Sequence, residues 1–145
     1  MRGNTSRQIV KYRLFPLYAM LLVAANALSC GNNSFSQGEI LYSNFCSNCH
    51  MPDGSGLEGN IPPLAGADNI KKSPAKVACA IRYGISDSIV VNGKVYQQPM
   101  AAIPKLSDFE IANIINYINH SWGNDFGYVQ IGEVRAALKK CANEK

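Results

Sequence analysis

The stretch Cys46-Ser47-Asn48-Cys49-His50 decides most of what this chain can be. Cys-x-x-Cys-His is the pattern through which a c-type haem is attached: two thiols bond to the haem vinyl groups and the histidine binds the iron. Cysteines three residues apart lie about one helical turn from each other, which suits the two vinyl positions. The alternatives are a redox dithiol, which usually lies between a strand and a helix, and half of a zinc site, which needs another Cys/His pair nearby. We therefore predict one covalently bound haem c, attached at Cys46 and Cys49 with His50 as an iron ligand.

The second axial ligand follows from elimination among the histidines and methionines. His120 lies near the end of a predicted helix, where a surface hydrogen bond explains it. Met1 and Met20 lie in the predicted signal peptide, and Met51 is next to His50 and cannot reach the opposite haem face. Met100, in a loop, is the remaining candidate, and its alternative role is to fill an apolar gap. We expect Met100 to bind the iron.

The N-terminal segment has the pattern of a secretory signal peptide over residues 1–29. Basic residues precede the apolar stretch Leu14–Leu28, and small residues follow it. This stretch is shorter than the roughly 20 apolar residues of a membrane span. Ala27-Leu28-Ser29-Cys30 resembles the bacterial lipobox, so we predict that Cys30 is lipidated and that the protein is anchored by lipid in the periplasm or cell envelope. Ordinary cleavage after Ala27 and a retained helical anchor remain alternatives.

The charge distribution argues against nucleic-acid binding. The formal net charge is +4, but four of the 14 basic residues precede position 30, so the remainder equals the 10 acidic residues. A neutral mature chain lacks the basic surface on which nucleic-acid affinity depends.

The remaining cysteines form an even pair. With Cys30 assigned to lipid and two cysteines to haem, Cys79 and Cys141 are left in an oxidising compartment. We expect a disulfide between them, because a bridge is the simplest use of two such thiols. The alternative is that both are small apolar packing residues.

Periodicity and turn signals predict an all-α fold with one hairpin. A capping-box spacing at Ser36–Glu39 opens the first helix, Ser73-Pro74 the second, and Ser107–Glu110 the third. Asn92-Gly93 between β-branched residues predicts a small β-hairpin flap. Val134, Leu138 and Cys141 share one face of a short C-terminal helix. The Gly- and Pro-rich stretch between the first and second predicted helices, residues 51–67, is expected to be an irregular loop.

Several strings together resemble the bacterial class I c-type cytochromes, over about residues 36–124. They are Cys46-Ser47-Asn48-Cys49-His50, Gly54-x-Gly56, Pro62-Pro63-Leu64-x-Gly66, Val91-Asn92-Gly93-Lys94-x-Tyr96, Met100, and Ile114-x-x-Tyr117-Ile118-x-x-Ser121-Trp122-Gly123-Asn124. The resemblance implies the cytochrome c fold, in which three core helices surround the haem and the first and third cross beside it. It also implies that the carbonyl of Pro62 accepts a hydrogen bond from the His50 ring, which would fix the imidazole.

Together, the N-terminal pattern and the extent of the resemblance divide the chain into four predicted parts. They are a signal peptide (1–29), a tether (30–35), a cytochrome c haem domain (36–123) and a C-terminal extension (124–145).

The expected function is one-electron transfer. A thioether ligand raises the reduction potential relative to a second imidazole, and two filled axial positions leave no place for a substrate. We therefore predict an electron carrier, not an enzyme, with redox proteins as partners and no small-molecule substrate. Two alternatives remain: an electron-entry subunit of a larger oxidoreductase, or a haem sensor or gas-binding module if Met100 does not bind the iron. Four lysines, whose alternative role is scattered solvated charge, are candidates for a docking rim: Lys71, Lys72, Lys76 and Lys94.

Overall fold

The computed structural model describes residues 34–144, and the predictions for the signal peptide and for Cys30 lie outside this part of the chain. Within it there are six helices and one antiparallel pair of strands. In chain order the elements are α1 (Ser36–Phe45), α2 (Ser47–His50), α3 (Asp68–Lys72), α4 (Pro74–Tyr83), β1 (Ile89–Val91), β2 (Lys94–Tyr96), α5 (Asp108–Asn119) and α6 (Ile131–Asn143). None of the helices between residues 34 and 144 is long and apolar enough to cross a bilayer.

The core is built around α5, whose apolar stripe is fully buried. Four isoleucines carry this stripe, and each is at most 3% exposed: Ile111, Ile114, Ile115 and Ile118. Helix α1 crosses α5 closely at Gly38, where an added Cβ would meet the carbonyl of Asn113 and lie 2.7 Å from Cβ of Tyr117. The first and third predicted helices therefore pack directly on each other, as expected.

Of the two capping boxes predicted from the sequence, one forms and the other does not. The Ser107 capping box is confirmed: its hydroxyl accepts from the Glu110 amide and the Glu110 carboxylate accepts from the Ser107 amide. The capping box predicted at Ser36 is wrong, because Phe35 occupies the N-cap position and Ser36 is already helical. Phe35 stacks on His120 with ring centroids 4.4 Å apart, and this contact fixes where the chain enters α1.

The β-hairpin forms at the predicted turn. Asn92 and Gly93 both have positive φ, at 51° and 76°, as a two-residue hairpin turn requires. The turn is tied to the start of α3 by two reciprocal bonds: the Asp68 amide donates to Asn92 Oδ1 (3.0 Å) and the Asn92 amide to Asp68 Oδ1 (2.8 Å). Short helix α3 was not expected from the sequence.

The C-terminal helix packs on α4 and α5. Val134, Ala137 and Leu138 form its buried face, and Cys79 of α4 is joined to Cys141 of α6 by a disulfide with Cα atoms 6.2 Å apart. This is the pairing that the cysteine count suggested. The segment before α6 is held by a buried amide: Asn116 Nδ2 donates to the carbonyl of Val129 (3.0 Å), and the Val129 amide donates to Asn116 Oδ1 (2.7 Å).

Candidate haem-binding site

The Cys-x-x-Cys-His residues form one tight turn directly after α1. The amides of Cys49 and His50 both donate to the carbonyl of Cys46, at 3.1 and 2.9 Å. Both thiols are free; Cys46 is buried and Cys49 is exposed. One sulfur of the turn therefore lies in the core and the other at the surface, and the histidine follows them directly in the sequence.

His50 is oriented by a residue in the following loop. Its Nδ1 lies 3.2 Å from the carbonyl oxygen of Pro62, which is the contact implied by the family resemblance. Because a carbonyl only accepts, this bond requires hydrogen on Nδ1 and leaves Nε2 as the atom available to a metal. Burial lowers the pKa of His50, and the bond to Pro62 acts in the opposite direction. The balance favours the neutral imidazole that a metal needs.

Two aromatic side chains hold the loop that follows the motif. Met51 has a φ of 63°, which is unusual for a residue other than glycine. The hydroxyl of Tyr42 donates to the carbonyl of Met51 at 2.6 Å, and Trp122 Nε1 donates to the carbonyl of Pro52 at 3.1 Å. Burial raises the pKa of Tyr42, so this hydroxyl remains a donor. The sequence analysis did not identify Tyr42, because an aromatic residue within an apolar helix stripe is ordinarily a packing residue.

Asn124 fastens the next part of the loop to the end of α5. Its Oδ1 accepts from the amide of Gly66 at 2.7 Å, and its Nδ2 donates to the carbonyls of Leu64 and Ile118 at 3.0 and 2.8 Å. Asn124 therefore supports the proposed haem domain although the sequence division assigned it to the C-terminal extension. The sequence signal was its place in the Ser-Trp-Gly-Asn string.

Met100 lies on a separate segment, after β2. It is half-buried against the core, and its backbone forms an isolated antiparallel bridge with Ile85 through two hydrogen bonds of 2.9 Å. A single partly buried thioether, held by its backbone, has the chemistry of a soft iron ligand.

The other residues considered in the sequence analysis have ordinary structural partners. Nδ1 of His120 lies 2.8 Å from the carbonyl of Asn116, as expected for a histidine at a helix end. Two of the four lysines form ion pairs, Lys72 with Asp68 (2.6 Å) and Lys94 with Glu58 (3.7 Å). These pairs offset part of the positive charge of a docking rim.

Comparison with known proteins identifies the family. The cytochrome c family model matches residues 35–122. The chain belongs to the cytochrome c family. A cytochrome c-552 of Thermus thermophilus is 33% identical over 112 residues, which cover 74% of this chain and 72% of that protein. As a class I c-type cytochrome, the protein binds one covalent haem c and transfers electrons, and the all-α fold with its small hairpin is that of the family.

Two further relatives are subunits of dehydrogenases. The cytochrome c subunit of alcohol dehydrogenase (quinone) from Gluconacetobacter polyoxogenes is 32% identical over 105 residues, covering 69% of this chain. The fructose dehydrogenase cytochrome subunit of Gluconobacter japonicus is 30% identical over 128 residues, covering 80% of this chain. The matched regions are only 22% and 26% of these two relatives, so the likeness is limited to one region of each.

The residues present fit a covalently held haem. Burial raises the pKa of the Cys46 thiol to about 12, so this place suits a neutral sulfur, as in a thioether, far better than a thiolate. Cys49 is accessible on the surface, and His50 has Nε2 available. The residues available are two cysteine thiols for attachment to the vinyl groups, and one imidazole and one thioether for the iron, which is the set that c-type haem chemistry uses.

Proposed function

We propose that this cytochrome is a one-electron carrier of the cell envelope whose haem is attached at Cys46 and Cys49, with His50 and Met100 as axial ligands. The bond between His50 and Pro62 is the observation that carries the proposal, because it gives the imidazole the tautomer and the fixed orientation that an axial ligand needs. Bound haem c supplies an iron that gains or loses one electron. His50 and Met100 would hold this iron.

The two proposed ligands make the protein a carrier and not an enzyme. With Met100 and His50 both bound to the iron, no coordination site would be left for a substrate. The thioether of Met100 favours the ferrous state and raises the potential. Its backbone bridge to Ile85 restrains the segment that carries the thioether.

The N-terminal part of the chain anchors the carrier in this proposal. Residues 1–29 are a signal peptide, Cys30 receives lipid, residues 30–35 form the tether, residues 36–123 the haem domain and residues 124–145 its extension. The basic start, the short apolar stretch and the sequence before Cys30 support this division.

A second candidate function is an electron-entry subunit of a dehydrogenase complex. The relatives named as cytochrome subunits of alcohol and fructose dehydrogenases favour it. Affinity purification of the tagged native protein from mild-detergent membrane extracts tests it. A stoichiometric dehydrogenase in the eluate supports the subunit function, whereas a haem protein that elutes alone supports the free carrier.

Carbon monoxide binding and a potentiometric titration test the carrier proposal. Ferrous wild-type protein should not bind carbon monoxide, because both axial positions are filled, and should titrate as a single one-electron couple. Met100→Ala should keep its covalent haem, bind carbon monoxide and titrate at a lower potential. Rapid carbon monoxide binding by the wild-type protein would contradict the proposal and favour a gas-binding module.

A further inference from the structure

The segment that carries Met100 is held along the last turn of α4. Four hydrogen bonds join the two segments: Ile85 N to Met100 O and Met100 N to Ile85 O, both 2.9 Å; Ile103 N to Ile81 O, 2.8 Å; and Arg82 Nη1 to Pro104 O, 2.9 Å. Three of these bonds are between backbone atoms, so they fix the course of the chain and not only its side chains.

This part of α4 is itself anchored in the protein. Ile81 is 3% exposed within the core. Arg82 also binds the carboxylate of Asp108 through Nη2 at 2.9 Å, and Asp108 is the first residue of α5. The turn that holds the Met100 segment is therefore fixed to the central helix, and a shift of one segment relative to the other breaks several bonds together.

Gly84 is the closest point between the two segments. Its φ of 76° and ψ of −179° lie in a region that is essentially restricted to glycine. An added Cβ would lie 2.6 Å from the carbonyl oxygen of Met100 and 3.0 Å from the amide nitrogen of Ala102. Both are backbone atoms, so they cannot yield as the end of a flexible side chain would. A side chain at position 84 must displace the backbone of Met100.

We infer that Gly84 and Ile85 are positioning residues for the axial thioether: they set where the backbone of Met100 lies and hence how far its sulfur reaches. The inference rests on the proposed function, in which Met100 binds the iron. Displacement of the Met100 carbonyl would move its Cα, and with it the thioether that would hold the iron. A weaker contact between the iron and the Met100 sulfur should reduce the far-red absorption band that iron–methionine bonding gives the ferric protein. It should also lower the reduction potential.

Gly84→Ala in the holoprotein tests this inference, with Gly93→Ala as the matched control. Gly93 has the same φ of 76°, and an added Cβ there meets nothing within 4 Å. Both variants carry a cost in backbone strain, but only Gly84→Ala displaces Met100. The far-red band and the midpoint potential are measured where far-ultraviolet circular dichroism shows each variant to be folded. Gly84→Ala should lose most of the band and shift towards the potential of Met100→Ala, whereas Gly93→Ala should keep both.

The outcomes separate this inference from the proposed function. If Met100→Ala loses the band while folded Gly84→Ala retains the wild-type band and potential, the positioning role is overturned and the ligand assignment stands. If Met100→Ala itself retains both, the ligand assignment falls and the inference with it. Should Gly84→Ala yield no folded holoprotein, Arg82→Gln decides, because it removes the bond to the carbonyl of Pro104. A partial loss of the band supports the inference, and an unchanged band and potential overturn it.

Discussion

The two sides of the proposed iron site are built in different ways. On the His50 side, five consecutive residues form one turn, and the orienting carbonyl of Pro62 is 12 residues away. On the Met100 side, the segment is held by α4, and the bond from Arg82 to Pro104 spans 22 residues. A short local stretch fixes the histidine, while packing between distant elements fixes the methionine. Changes far from the iron should therefore act mainly on the methionine side.

The largest expected effect is the loss of covalent haem attachment on the His50 side. Cys46→Ala combined with Cys49→Ala removes both thiols that attach the haem, so the denatured protein should have the mass of the polypeptide alone. Intact mass spectrometry and haem staining after denaturing electrophoresis check this. Cys141→Ser, as the control, should retain haem through both steps. Haem that stays covalently bound in the double variant would place the attachment elsewhere.

The next effect concerns the C-terminal extension. Cys141→Ser opens a disulfide that closes a separation of 62 residues, which contributes about 4 kcal/mol in the chain-entropy model. The denaturation midpoint should fall, while the haem spectrum should stay unchanged, because Cys79 lies before the residues that bond to the Met100 segment, Ile81, Arg82 and Ile85. Thiol alkylation of the unfolded wild-type protein without reductant should label neither Cys79 nor Cys141. Two labelled thiols would show that the bridge does not form.

A smaller effect is expected where α1 crosses α5. Gly38→Ala inserts a Cβ against the backbone carbonyl of Asn113 and the side chain of Tyr117. Overpacking of this kind costs about 1–3 kcal/mol. Gly132→Ala in α6 is the control, because its added Cβ meets nothing within 4 Å; it should stabilise the helix by about 0.5–1 kcal/mol. Chemical denaturation measures both. Equal stabilities of the two variants would argue against a close crossing that supports the His50 turn.

The smallest effect is expected at the N-terminal cap of α5. Ser107→Ala should cost about 1 kcal/mol of stability by loss of the cap. Backbone and side-chain hydrogen bonds from Ser107 lower the pKa of Glu110. The folded-state pKa therefore lies below the unfolded one, so the contribution of the carboxylate is present above the unfolded pKa and is lost as the pH falls through the folded pKa. Denaturation of Glu110→Gln and wild type should differ at neutral pH and converge in acid. A difference in stability that stays the same at all pH values would show that the Glu110 carboxylate does not contribute to the cap.

Much of the fold could be predicted because its signals are local. The capping box at Ser107–Glu110 predicted α5, Asn92-Gly93 predicted the hairpin, and Val134 with Leu138 predicted α6. The start of α1 was predicted incorrectly because Ser36 has the right spacing, whereas the contact between Phe35 and His120 is not visible in sequence. Helix α3 was missed because five residues are too few to show a period.

The candidate site was predictable to a similar extent. The haem motif and the Pro62 contact follow from short strings, but Met100 was reached only by elimination, since its backbone partner Ile85 lies just after α4, in a different part of the sequence. In the sequence, Gly84 is only a glycine of the kind that ends helices. Its closeness to the carbonyl of Met100 depends on how two distant segments pack, and no sequence pattern contains that information.

The most direct test of the central claim is the near-infrared magnetic circular dichroism of the ferric wild-type protein, because this spectrum distinguishes the axial ligand pairs of low-spin haem. The proposed site predicts the signature of one imidazole with one thioether, which Met100→Ala should abolish. A signature of two imidazoles, or of imidazole with water or hydroxide, in the wild-type protein at neutral pH would contradict the assignment of Met100.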